Sequence, residues 1–97
     1  MRMSNNKPPL PPGVTREEIG ARLRATREAL GLSSTVVCEI LDIRRSTWSM
    51  NEYGKSLPNV FDMIRFSERF GVTLDWIYRG DRSGLRHDLA ARLPDGL

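Results

Sequence analysis

From Ile19 onward, apolar positions return at intervals of three and four. Ile19, Leu23 and Leu30, with Thr26 between them, fall on one side of a helix, which leaves Arg16, Arg22, Arg24 and Arg27 largely on other faces. Thr15 and Glu18 have the spacing of a capping box. Val14 and Ile19 flank that cap as a hydrophobic staple, and Gly31 supplies a left-handed stop. The start signal then repeats. Ser33 caps a second, short helix stapled by Leu32 and Val37, with Val37, Cys38 and Leu41 on its buried side and a turn at Asp42 before Ile43. A third helix is predicted from Arg44 to Tyr53, anchored inward by Trp48 and stopped by Gly54.

Asn59 caps a fourth helix, whose inner face is predicted to carry Val60, Met63, Ile64, Ser67 and Phe70 up to Gly71. Thr73 caps a fifth, stapled by Val72 and Ile77 and carrying Leu74, Trp76, Ile77 and Tyr78 to Gly80. Leu85, Leu89 and Leu93 recur every four residues, which fits either a short sixth helix or a frayed end. No stretch alternates as a strand does, so the fold class is all-α. The pattern divides the chain into a flexible Pro-rich arm over 1–13, a helical domain over 14–80 and a C-terminal tail or short helix over 81–97. In the arm, MRMSNNKPPLPP favours extended chain over helix.

Composition narrows the function classes. Of 97 residues, 39% are hydrophobic and 28% charged, as in a soluble globular domain. There is no run long enough for a membrane span and no apolar leader, so the expected address is the cytoplasm, with no membrane partner. Cys38 is the only cysteine, which rules out an internal disulfide and is read as packing. A single His, His87, with no second His or thiol near it, is read as a surface residue and not a metal ligand. With no glycine-rich phosphate loop either, no catalytic site, metal or cofactor is expected.

The net charge of +3 is unevenly placed. Residues 1–57 hold nine Lys or Arg against six Asp or Glu, whereas 58–97 hold six of each. Thirteen of the fifteen cations are Arg, whose planar fork fits phosphate and guanine edges. The excess therefore coincides with the two short helices joined by a tight turn, an arrangement that can present a helix to the major groove.

Residues 19–80, through IGARLRATREALGL, CEILDIRRSTWSMNEYGKSLP and SERFGVTLDWIYRG, resemble the Cro/C1-type helix-turn-helix family. The resemblance implies a five-helix, lambda-repressor-like DNA-binding domain and a sequence-specific, repressor-like transcriptional regulator. With Trp48 inward, a turn of about 100° per residue sends Arg45, Ser46, Ser49 and Met50 outward as base-reading candidates. Arg45 can offer two donors to guanine, and Met50 can pack on a thymine methyl. Ser34, Thr35, Arg44, Thr47, Tyr53 and Lys55 are the phosphate candidates, and Arg2 or Lys7 on the arm is expected to reach an adjacent groove.

The implied partner is double-stranded DNA, bound by a homodimer through an apolar patch formed by Leu85, Leu89 and Leu93 with parts of Trp76 and Tyr78. The alternative is an antitoxin or other protein-binding module of the same fold. Four positions depart from the family pattern. Ser34 stands where glutamine is usual, Asp42 where glycine is common, Arg44 in place of a Ser or Thr cap, and Asn51 where an apolar residue packs.

Overall fold

The computed structural model describes residues 6–97, so Arg2 of the arm lies outside the described residues. Six helices follow one another: α1 (Arg16–Ala29), α2 (Ser34–Leu41), α3 (Arg45–Glu52), α4 (Val60–Phe70), α5 (Leu74–Arg79) and α6 (His87–Arg92), with no strand among the described residues. Four begin where a side-chain oxygen takes up an otherwise unpaired backbone N–H. Thr15 accepts from Glu18, Ser33 from Val36, Asn59 from Phe61 and Asp62, and Thr73 from Trp76. Arg44 makes no such bond, so α3 begins without a side-chain cap and one residue later than the pattern predicts, ending at Glu52.

α1 is the central strut, against which α3, α5 and α6 pack, while α2 lies on α3 and α4. The core runs through all six helices: Ile19 and Leu23 of α1, Val37, Cys38 and Leu41 of α2, Trp48 of α3, Met63 and Phe66 of α4, Trp76 and Ile77 of α5, and Leu89 of α6. Phe66 bridges two aromatic neighbours, with ring centroids 5.8 Å from Trp48 and 5.1 Å from Phe70.

Three expectations from the pattern are corrected. On α4 the inner face is turned, so that Met63 and Phe66 are buried while Val60 and Ile64 are exposed together with Phe61. Six apolar residues over three turns cannot all reach one core, and the aromatic ring of Phe66 fills more of it than Val60 does. The leucines expected as an exposed dimer patch are instead internal. Leu85, Leu89 and Leu93 are buried, and so is Trp76, because α6 folds back on α1 and is tied there by Arg92 donating to the Ala29 carbonyl at 3.1 Å.

Arg22 is the third correction: it is buried between α1 and α5 and does not lie on an outer face. Its Nε donates to the Ile77 carbonyl at 3.1 Å and an Nη to the Gly13 carbonyl at 2.7 Å, with the Trp76 ring centroid 5.9 Å away. Burial lowers its pKa, and carbonyl partners let the charged group stay inside. The Trp76 indole in turn donates to Thr26 Oγ1 at 2.8 Å.

Candidate nucleic-acid interface

α3 owes its position to a close approach and to a carboxylate. At Gly20, a Cβ would stand 2.5 Å from the Asn51 carbonyl oxygen and 2.7 Å from that of Glu52, so only glycine lets α1 come this near to the end of α3. Glu52 then receives Arg27 of α1 through two bonds, 2.6 Å from Nε and 3.1 Å from Nη2. The same carboxylate accepts the Trp48 indole N–H at 2.7 Å. Arg27 also donates to the Leu32 carbonyl at 2.9 Å, which links the α1–α2 loop to the group. Hydrogen bonding to Glu52 pushes the Arg27 guanidinium further up from its ordinary range.

The sequence reading missed this cluster because its members are 25 residues apart. It also missed Gly20, although a glycine inside a good helix is itself a sign of close packing. Asn51, expected from the resemblance to stand at an apolar packing position, is buried; its amide donates to the Ser56 carbonyl at 3.3 Å and to Ser56 Oγ at 3.0 Å. The position therefore trades apolar contact for closure of the loop after α3.

With Trp48 only 1% exposed, the opposite side of α3 faces solvent. Arg45, Ser46, Ser49 and Met50 are all exposed there, Met50 by 48%. Arg44, Thr47 and Lys55 are exposed at the flanks and ends of α3, and Tyr53 is 66% exposed at its C-terminal end. At the start of α2, Thr35 is exposed and Ser34 half-buried.

Five of the candidates line one cleft between α1 and α3: Ser34, Arg45, Ser46, Ser49 and Tyr53, joined by Arg24 and Arg27 from α1. Thr35, Arg44, Thr47, Met50 and Lys55 lie outside it. Lys7 is exposed on the extended arm.

Between α2 and α3, Asp42 adopts a left-handed conformation, φ 55°, the only non-glycine residue to do so among those described. The turn closes through the Ile43 N–H donating to the Cys38 carbonyl at 3.0 Å. Burial pushes the Cys38 thiol up and keeps it protonated.

Two short helices, a tight left-handed turn and an outward second helix correspond to a family model described as a helix-turn-helix domain, which matches residues 20–82. The chain belongs to that family. Helix-turn-helix membership makes it a DNA-binding regulator in general terms, and the family is typically a module without enzymatic activity. Comparison with curated proteins and with solved structures found no match. Among the described residues, no helix is long and apolar enough to cross a membrane.

Proposed function

We propose that this helix-turn-helix chain is a sequence-specific transcriptional regulator of the Cro/C1 type, repressor-like in action, that reads the major groove with α3. One observation carries the reading. Trp48 is buried and Glu52 of the same helix is paired to Arg27 of α1, so Arg45, Ser46, Ser49 and Met50 project outward from a helix held against α1. Arg45 is the main reader, through two donors to a guanine edge. Ser34, Thr35, Arg44, Thr47, Tyr53 and Lys55 hold the flanking phosphates, with Lys7 as a further cation. These contacts set position and not sequence preference.

An eight-residue helix spans few base pairs, so two copies on a near-palindrome would supply the remaining specificity. That homodimer is part of the proposal, and it cannot be built on the buried C-terminal leucines. Light scattering on the chain with and without its selected duplex tests it. Selection from random duplex DNA, followed by Arg45→Ala, tests the reading itself. An enriched motif that changes at one base pair in the variant is the expected result; no enrichment, or an unchanged motif, would end it.

A second reading, an antitoxin-like module whose main partner is a protein, draws on the exposed apolar residues Val60, Phe61 and Ile64 of α4. A second small protein that co-purifies from the native source and is released by Phe61→Glu would favour it.

A further inference from the structure

Three guanidinium groups and three hydroxyl-bearing serines border the cleft of about 380 Å³ between α1 and α3. They are not equally available. Arg27 is committed to Glu52 and the Leu32 carbonyl, so its charge is balanced within the protein. Arg45 has no ion-pair partner among the described residues and stands at the α3 edge of the cleft. Arg24, on α1 across from it, has only Glu28, 3.4 Å away, and both side chains of that pair are more than half exposed. An exposed i, i+4 pair of this kind is weak and exchanges readily for a stronger acceptor.

The position of the cleft indicates what that acceptor is. A helix is about 10–12 Å across with its side chains, and the major groove is about 12 Å wide, so a helix lying in the groove has a phosphate strand along each flank. The cleft opens along one flank of α3. Resting on the DNA-binding reading above, we infer that it seats one phosphate of the DNA backbone, gripped by Arg24 with the Ser34 hydroxyl. The sequence pattern gave Arg24 no role. On this inference Arg24 makes α1 a third DNA-contacting element and sets how deeply α3 enters the groove.

The test uses the full chain on its selected duplex and on an unrelated duplex, with affinity measured across a salt series. Arg24→Gln should weaken both by the same factor, on the order of fivefold, and reduce the slope of log affinity against log salt by about one, leaving the selected motif unchanged. Arg24→Lys should keep the slope. Glu28→Gln, which frees Arg24, should not weaken binding. A methylphosphonate at one phosphate of the duplex should reproduce the loss in the unsubstituted protein and cost Arg24→Gln nothing further.

An unchanged slope for Arg24→Gln, or a loss confined to one sequence, overturns the inference. If Arg45→Ala shifts the motif while Arg24→Gln leaves the slope intact, this inference alone falls. If the unsubstituted chain shows no duplex binding at all, the DNA reading falls and takes the inference with it. Because Arg24 is exposed, thermal melting of the variants should match the parent, which separates lost contact from lost fold.

Discussion

Arg27 and Glu52 form a two-bond ion pair across the α1–α3 junction, with side chains only 14% and 8% exposed. The pair ties α3 to α1 on the side where Trp48 is buried, and Glu52 also holds the Trp48 indole, so the inward side chains of α3 are fixed together. Removing one partner leaves a mostly buried charge uncompensated. Glu52→Ala and Arg27→Ala should each cost about 3 kcal/mol of folding stability in urea denaturation, and the double variant should cost less than their sum. Strictly additive losses would mean that the two groups do not act as a unit.

Gly20→Ala sets two effects against each other. Alanine favours a helix interior by about 1 kcal/mol over glycine. The added methyl would meet backbone oxygens at 2.5 and 2.7 Å, and neither can swing away as a side-chain tip could. Displacement of α3 should win, with a net loss of about 2 kcal/mol and weakened DNA binding. A raised melting temperature would show that α1 and α3 do not come this close.

Asp42 carries both a conformational and an electrostatic liability. Its left-handed backbone, φ 55°, suits glycine better, and its carboxylate lies in the turn that leads into α3. Asp42→Gly should stabilise the fold by about 0.5–1 kcal/mol and tighten DNA binding, whereas Asp42→Ala should tighten binding without the gain in stability. Melting curves and a binding titration on the same duplex separate the two contributions.

Cys38 and Tyr78 both hold their protons more tightly in the fold than in the unfolded chain. Burial raises both pKa values, with Asp62 adding to the effect at Tyr78, whose hydroxyl donates to the Pro58 carbonyl at 3.3 Å. The unfolded chain therefore loses these protons first. Their contribution to stability is full below the unfolded values, about 8.5 for Cys and about 10 for Tyr, and is lost as pH rises past them. Denaturation midpoints should hold steady near neutrality and decline from about pH 8.5 upward, with a smaller early decline in Cys38→Ala. At neutral pH the native thiol should resist a disulfide reagent until the chain unfolds; rapid labelling of the folded protein would contradict its burial.

Helix starts were legible because capping is local. Thr15, Ser33, Asn59 and Thr73 sit within three residues of the N–H groups they accept, so spacing alone locates them. The inward turn of Trp48 could also be read, since on a short helix one large apolar side chain dominates burial. The inner face of α4 could not. Val60, Phe61, Met63, Ile64, Phe66 and Phe70 cover more than half its circumference, and periodicity cannot choose among them. Arg22 was misplaced for a related reason, because an arginine reads as surface until a carbonyl from elsewhere meets it.

The letters of the chain alone determined that it would be helical, where its four side-chain-capped helices begin and which large side chain anchors the short α3. Each of these depends on interactions spanning one turn. Tertiary structure decided the rest: that α6 spends its leucines on the core, that Gly20 admits the end of α3, and that Arg27 meets Glu52. Those outcomes depend on groups tens of residues apart arriving at the same place, and only the packed fold brings them together.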